Sequence, residues 1–447
     1  MSRAINLDKK LEYKGYWYLP SSPEKKVAGI LTYSPNDEII LELIGCFDES
    51  LSSLFEQQEE MVIHGKTSDA KEITLLQCYQ SASMNFSADF PIVKYNCNFI
   101  VIGKHINSLD EKGEYWVRFK IPELTYWCHP RALNYSVEYD KNNDNIFQTA
   151  ISFNSAQSND DNIISNVQID NNTSLLIKKG VIFDTSNLLL NSLFEQYTYV
   201  EIIKQSETTI KELFSDIRKY EQFISLATFN IVESTDITLF DKEIQEDKSK
   251  KHYKEINLIH RYNKLENEGR RKRNRDFLFQ YSTIKNVYPE IIQNWYNVPK
   301  DLYPIRHHLI SSLENKTSYN SVDFLIIIQA IEGFWWRFRD NNYKIKNAIP
   351  KKKNTSLNEI LNELLKEFDD IELLNKFGID IEAVVDSRHY YSHFVEQTKK
   401  PKKLDGWFLI KEAKKLRILL ICCVLSFVGF EHSKIDAIFK KSNSKLI

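Results

Sequence analysis

The hydrophobic period of this chain changes once along its length. Before about residue 155, short runs rich in β-branched and aromatic residues, such as Val27–Tyr33, Ile39–Ile44 and 73–79, alternate with turn-like segments. After Leu302 the apolar residues recur at three- and four-residue steps, which is typical of helices. The sequence therefore predicts an α+β protein, with a β-rich, sandwich-like N-terminal domain followed by an all-α helical bundle.

The middle of the chain carries mixed signals. Residues 138–172 are rich in Asn, Asp and Ser, which predicts a long irregular excursion. Residues 203–229 have the spacing of one long amphipathic helix, and 237–240 and 253–260 are strand candidates. We therefore expect a β-rich domain over 1–200, a mixed helix and strand extension with a basic linker over 201–300, and a helical bundle over 301–447.

Two helix starts and one buried helix can be predicted within the bundle. Ser356 and Glu359 form a capping box, and Asp380 is a candidate N-cap for the next helix. The last long helix, 407–430, is apolar on all sides in its second half. Its 13-residue apolar run at 418–430 is shorter than the roughly 20 residues of a membrane span, so we expect a core helix.

Composition excludes several classes of protein. With 42% apolar residues, 27% charged residues and a net charge of −2, the chain is neither disordered nor a globally basic nucleic-acid coat. Six scattered cysteines without a C-x-x-C pair favour unpaired thiols. Residues 1–15 lack the apolar core of a signal peptide. We expect a cytoplasmic protein with no membrane contact.

Most familiar catalytic signatures are missing, since there is no phosphate loop, no H-E-x-x-H zinc motif and no dinucleotide fingerprint. We expect no metal and no cofactor. One segment is distinctive, DSRHYYSH at 386–393. Arg388 lies on the face marked by Val384 and Val385, which directs it toward the core or another subunit, and Glu332 is its expected partner. One interpretation is an ion pair that only orients helices.

The functional interpretation is that Arg388 and His393 form an Arg-x4-His ribonuclease pair. Imidazole can move protons near neutral pH when RNA is cleaved by its own 2′-hydroxyl. A guanidinium can hold the scissile phosphate and stabilise the charge that develops on it. The spacing alone is a weak signal, because such matches arise by chance. An ideal helix also places these two positions about 140° apart. Either the helix ends or kinks before His393, or the site is composite.

The bundle resembles a HEPN domain, and more specifically the Apea-like HEPN proteins of prokaryotic defence. The resemblance rests on GYWYLP at 15–20, VAGILTY at 27–33 and ILELIG at 40–45, and in the bundle on QAIEGF at 329–334 and RHYYSH at 388–393. It implies a metal-independent endoribonuclease with Arg388 and His393 as catalytic residues. Glu332, His389 and Ser392 are implied as supporting residues, although the family more often has Asn directly after the arginine.

The resemblance also implies a setting and partners. These are anti-phage abortive infection, cellular RNA such as tRNA as substrate, a phage-derived trigger, and a homodimer through the bundle, whose two motifs meet across the interface. Two rivals remain open. One is a catalytically inert HEPN module that binds a nucleotide or a protein, and the other is a β-sandwich ligand-binding protein whose helical half only dimerises.

Basic residues supply candidate RNA contacts. The segment 399–417 directly follows the motif, and its Lys399, Lys400, Lys402 and Lys403 are the candidates for phosphate contacts. The basic run 270–275 is a second candidate, although a solvated loop is the simpler interpretation. The aromatic residues of the N-terminal half are interpreted as sheet core rather than as a base-stacking platform.

Overall fold

The structure is a computed structural model, and every structural statement refers to the residues that it describes. These are 7, 9–35, 38–47, 60–81, 91–130, 132–139, 146–153, 162–184, 193–243, 252–260, 277–313, 321–339, 352 and 354–442. The basic run 270–275, a predicted RNA contact, lies outside them.

The N-terminal half of the described chain is built mostly from strands. They are β1 Leu11–Tyr18, β2 Val27–Tyr33, β3 Ile39–Ile44, β4 Met61–Thr67, β5 Glu72–Gln80, β6 Ile92–Cys97, β7 Phe99–Ile102, β8 Lys112–Gly113, β9 Tyr115–Lys120, β10 Leu133–Tyr139, β11 Ile146–Phe153, β12 Ile163–Gln168, β13 Thr173–Asp184, β14 Leu193–Lys204, β15 Thr208–Thr209, β16 Thr235–Glu243 and β17 His252–His260.

Helices follow, and after Leu302 the described residues contain no strand. The helices are α1 Pro122–Cys128, α2 Ile210–Thr228, α3 Tyr281–Ile284, α4 Tyr288–Tyr296, α5 Tyr303–Ser311, α6 Ser321–Phe338, α7 Leu357–Glu367, α8 Glu372–Phe377, α9 Ile381–His393, α10 Gly406–Phe427 and α11 His432–Ser442. The predicted α+β class, with a β-rich N-terminal half and a helical C-terminal half, is confirmed.

Thirteen of the described strands form one antiparallel sheet, whereas β10 with β11 and β8 with β15 form two separate pairs. Within the large sheet, the strands β1 to β6 close on themselves. Pairing runs β5-β4-β1-β2-β3-β6, and Tyr79 opposite Asn96 joins β5 back to β6. The inside of this ring is packed with alternating apolar side chains, and Trp17 is fully buried there. Gly65 faces the Trp17 ring so closely that a Cβ atom would overlap it, so only glycine fits at this position.

One sequence-based prediction about the middle of the chain is wrong, and a second, the long amphipathic helix, is confirmed with a later start. The excursion predicted over 138–172 contains β11, which pairs with β10, and β12, which joins the edge of the large sheet. Its Asn, Asp and Ser residues masked the alternating pattern within these strands. The helix predicted over 203–229 begins at Ile210, because Thr209 and Glu212 bond reciprocally. Each side chain accepts from the backbone N–H of the other, at 3.1 and 3.2 Å.

The local predictions for the bundle are confirmed. The capping box of Ser356 and Glu359 is present, and the Asp380 side chain accepts from the Ala383 backbone N–H. The second half of α10 is buried among other side chains. Of the helices described, none has the length and apolar character required to cross a membrane. All six cysteines are free thiols.

The chain divides into two compact units whose segments interleave. The first unit comprises 1–125, 129–217 and 233–271, and the second comprises 126–128, 218–232 and 272–447. The boundary therefore falls inside α2. In the second unit Phe223 packs against Trp295, with ring centroids 5.5 Å apart, so the second half of α2 contributes to the helical core. The division at residues 200 and 300 is a different one, made of consecutive segments, and stays a prediction.

Candidate active site

The last turn of α9 brings Arg388 and His393 together within one chain. Arg388 Nη1 lies 3.0 Å from His393 Nε2. The helix ends at His393, because Phe394 adopts a left-handed backbone conformation with φ of 52°. The long arginine side chain spans the remaining offset. Because α9 includes His393, the helix does not end or kink before that residue, as the first of the two alternatives required. The 140° separation is bridged by the arginine side chain, and a composite site stays a prediction.

This contact fixes the hydrogen-bonding role of each nitrogen. A guanidinium has N–H donors and no acceptor, so His393 Nε2 must accept. The imidazole hydrogen then lies on Nδ1. The lone pair that could take a proton from a substrate is thus directed at Arg388 in this conformation.

Glu332 on α6 is the partner of Arg388, as the helical spacing predicts. Glu332 Oε2 lies 3.7 Å from Arg388 Nη2, and the two side chains retain 21% and 28% of their exposure. Burial raises the pKa of the Glu332 carboxyl, and Arg388 opposes that rise. Burial and the guanidinium thus act in opposite directions on the carboxyl, while both side chains keep access to solvent.

His389 and Ser392 lie beside this pair in different roles. The pKa of His389 is lowered, chiefly by burial and then by the positive charges of Lys400 and Arg388. Its ring centroid is 6.0 Å from that of His393. The Ser392 hydroxyl donates to the Arg388 carbonyl at 2.6 Å, so it is engaged by the backbone of its own helix.

The segment between α9 and α10 is held along α9 by two residues that the sequence did not single out. Ser387 Oγ accepts from the Leu404 backbone N–H at 2.8 Å. The Tyr391 hydroxyl lies 2.9 Å from the Leu404 carbonyl and 2.6 Å from Asp405 Oδ1. Burial and Asp405 raise the pKa of Tyr391. The signal for this pair was its four-residue spacing, which places both side chains on one helix face.

The four lysines predicted to bind RNA each meet a carboxylate in this conformation. The pairs are Lys399 with Glu396, Lys400 with Asp386, Lys402 with Glu382, and Lys403 with Asp405. The side chains of Lys399 and Lys402 are exposed, whereas that of Lys403 is 7% exposed and lies over the Tyr390 ring. Their assignment as phosphate contacts stays a prediction. Within the part of the chain that is described, no three His, Cys, Asp or Glu side chains are grouped to hold a metal ion.

Comparison with known families covers both halves of the chain. Residues 12–295, which are 284 of the 447, match the family model described as ApeA N-terminal domain 1. Residues 325–434, which include Glu332, Arg388 and His393, match the model described as Apea-like HEPN. No curated protein and no solved structure matches the chain at the threshold applied. With more than half of its length matched by one of these models and its helical region by the other, the chain belongs to the ApeA-like HEPN family.

Proposed function

We propose that this protein is a metal-independent endoribonuclease of the anti-phage abortive-infection type, which cleaves cellular RNA such as tRNA. The observation that carries the proposal is the 3.0 Å contact between Arg388 and His393 at the end of α9. It combines a proton acceptor with a positively charged fork of N–H donors, the two groups that cleavage by a 2′-hydroxyl requires. The family supplies the cellular setting. In this proposal the N-terminal half senses or responds to a phage-derived trigger.

In the proposed reaction, Arg388 and His393 each perform one step. The scissile phosphate binds the Arg388 guanidinium, which draws it away from His393 Nε2 and frees that lone pair. His393 takes the proton of the 2′-hydroxyl, whose oxygen attacks the neighbouring phosphorus, and the bond to the 5′-oxygen breaks. The products are a 2′,3′-cyclic phosphate and a 5′-hydroxyl end once the leaving oxygen is protonated.

The same scheme gives roles to the supporting residues and a source for the proton that the leaving 5′-oxygen needs. Glu332 orients the guanidinium from α6, at 3.7 Å. The pKa of His389 is lowered, chiefly by burial, so a smaller fraction of its imidazole carries a proton that it could donate. We therefore assign protonation of the leaving oxygen to His393 of a second copy, in a homodimer formed through the helical bundle.

Cleavage by purified His393→Ala protein tests the proposal. Removing one positioned acid–base group costs about 10²–10⁴-fold in rate. We expect that loss in His393→Ala, wild-type activity in the matched control His308→Ala, and no effect of EDTA on the wild type. RNA-end sequencing should find cyclic phosphate and 5′-hydroxyl ends. Activity of His393→Ala within a few-fold of wild type, or a strict requirement for a divalent metal, would contradict the mechanism. A dilute monomer with full activity would contradict the dimer.

One observation favours the alternative of an inert HEPN module that binds a nucleotide or a protein. Each predicted RNA-binding lysine already meets a carboxylate of its own chain, so the surface is less available to phosphates. Expression of the Arg388→Ala, His393→Ala double variant separates the two functions. Toxicity should vanish if the protein is an enzyme and persist if it acts as a binding scaffold.

A further inference from the structure

Two cysteines face each other inside the closed ring of strands β1 to β6. Cys78 on β5 is fully buried and Cys97 on β6 is 4% exposed, and both belong to the apolar cluster that fills the ring. Both are free thiols. We call these two residues the thiol pair. The reaction proposed at Arg388 and His393 does not use them.

The strand register places the thiol pair where the ring closes. Cross-strand pairs on either side of it are in one register, and they are Leu75 with Ile100, Leu76 with Phe99, Tyr79 with Asn96, and Gln80 with Tyr95. Cys78 therefore lies opposite Cys97 between them. Residues directly opposite in an antiparallel pair have Cα atoms about 4.5 or 5.5 Å apart. A disulfide bond requires a Cα separation of roughly 4.4–6.8 Å, so this register permits one without displacement of either strand.

The two side chains are already in contact. The Cys78 side chain hydrogen-bonds to that of Cys97. Cys97 Sγ lies 3.9 Å from the Tyr95 carbonyl oxygen, to which its S–H donates. The lone pairs of the Cys97 sulfur therefore accept from the Cys78 S–H. The two sulfur atoms are neighbours, as bond formation between them requires.

The backbone beside the thiol pair is irregular. Gln77, the residue before Cys78, has a φ of 53°, in the left-handed region that residues other than glycine rarely adopt. Its Oε1 accepts from Asn98 Nδ2 at 3.1 Å, and Asn98 is the residue after Cys97. Side chains thus supplement the backbone ladder where the ring closes. A covalent bond between the cysteines would hold the same joint.

Burial decides which oxidant can reach the thiol pair. Burial is the main cause that raises the pKa of the Cys78 thiol, and a thiol that stays protonated reacts slowly. The site therefore requires a small uncharged oxidant, such as hydrogen peroxide. Thiols remain reduced in a reducing compartment. The thiol pair should thus react only when peroxide accumulates.

We propose that Cys78 and Cys97 form a modification site, at which a peroxide converts the two thiols into a disulfide bond that locks β5 to β6. The sulfur of Cys97, the more exposed of the two, displaces hydroxide from the O–O bond of the peroxide and becomes a sulfenic acid. The Cys78 sulfur then attacks that sulfur and expels a second hydroxide. The two hydroxides leave as water with the two thiol protons. Sulfur is oxidised, peroxide is reduced, and a thiol reductant reverses the change.

Peroxide treatment of the reduced full chain under native conditions tests the proposal. Treatment continues until methionine sulfoxide first appears, because methionine oxidation shows that the dose was sufficient. Two of the six thiols should be lost when the protein is then denatured and alkylated. Peptide mapping should find Cys78 linked to Cys97, and dithiothreitol should restore all six thiols. The same treatment in urea should join the cysteines without selectivity.

Variants provide the matched controls. Cys46→Ala removes a partly buried thiol that packs against the same cluster, and it should form the bond like the wild type. Cys97→Ala should form no bond and keep its remaining thiols. Because a bond across this loop restricts the unfolded chain, oxidation should raise the melting temperature of the wild type by about 5–10 °C. It should leave that of Cys97→Ala unchanged.

Three results would overturn the proposal. They are survival of all six thiols until methionine is oxidised, a bond to Cys46 in place of the predicted one, and a lower melting temperature after the bond has formed. The last would show that the strands must distort to make it. All three are measured on the wild type, so the test holds even if Cys97→Ala does not fold. None of them depends on RNA cleavage.

Discussion

Arg388 contacts two groups of opposite character, an imidazole at 3.0 Å and a carboxylate at 3.7 Å. In the proposed function the contact with His393 serves cleavage, whereas the contact with Glu332 joins α9 to α6. Substitutions of Arg388 should therefore affect activity and stability differently. Because Glu332 keeps part of its solvent exposure, the loss of its partner leaves a partly hydrated charge. The stability cost should be smaller than for a fully buried pair.

We therefore expect Arg388→Ala to lower the free energy of unfolding by about 1–3 kcal/mol and to abolish cleavage. Arg388→Lys should keep more of the stability and still be nearly inactive, because an ammonium cannot reproduce the planar two-point grip on phosphate. Thermal unfolding and RNA cleavage of the same preparations measure both. Wild-type activity in Arg388→Lys would show that a diffuse positive charge is sufficient.

His389 gives a prediction about pH. In the folded protein its pKa should lie below the ordinary value of 6.5, which NMR titration of the imidazole can measure. Since the unfolded chain then binds more protons, His389 makes the fold less stable as pH falls below about 6.5, and this penalty disappears above that pH. Lys400→Gln should bring the pKa closer to 6.5 without restoring it, because burial is the larger cause. Lys399→Gln is the control, and a pKa of His389 at or above 6.5 would refute the interpretation.

At the scale of elements, sequence reasoning succeeded where its signal was local. The capping box at Ser356 and the N-cap at Asp380 are encoded within four residues, and helical spacing identified Glu332 as the partner of Arg388. It failed where contacts join distant segments. Ser387 and Tyr391 bind a segment 13 to 17 residues away, and no local pattern specifies which backbone groups they meet.

Among the ion pairs of the bundle that lie in the described residues, the most buried was missed for the same reason. Arg339, directly after α6, lies 3.2 Å from Glu363 on α7, with side-chain exposures of 3% and 0%. The guanidinium also lies over the Trp335 ring. The two residues are 24 positions apart. No pattern in the residues around either of them indicates that it forms a buried ion pair. The pair joins the end of α6 to α7.

Breaking that pair should cost far more than breaking the one at Arg388. We expect Arg339→Met to destabilise the protein by about 3–5 kcal/mol, because it removes the Arg339 guanidinium from a buried carboxylate. Adding Glu363→Leu should recover most of that loss, since both members of the buried pair are then replaced by apolar side chains. Urea denaturation measures all three proteins. Arg337→Met, an exposed position on α6, is the control, and an equal cost there would contradict the role given to burial.

At the scale of the whole molecule, the order of strands before helices could be predicted, but the interleaving of the units could not. Hydrophobic period reports whether a segment is strand or helix, and not which segment it packs against. Thus the spacing of Leu213, Ile217 and Ile224 predicts that α2 is a helix. The same spacing does not indicate that the helix is divided between two units. The strands β16 and β17 likewise return to the sheet after a helix, through pairings with β9 and β7.

The interleaving predicts that a fragment of residues 301–447 does not fold on its own. Trp295 is fully buried in the helical unit and donates from Nε1 to the Lys219 carbonyl. Arg306, 3% exposed, donates to the Trp295 carbonyl and would lose that acceptor in the fragment. We expect aggregation, or a state without near-ultraviolet circular dichroism. Cooperative thermal unfolding of the soluble fragment would contradict this, and the full chain is the control.

The path of α2 has a consequence for synthesis on the ribosome. Residues 218–232 emerge before the later helices of their unit, of which α3 begins about 50 residues later and α11 about 200 residues later. At roughly 5–20 residues per second, α11 follows them by about 10–40 s. Arg388 and His393 follow residue 232 by about 160 residues. A nascent chain therefore contains residues 218–232 well before it contains the site proposed at Arg388 and His393.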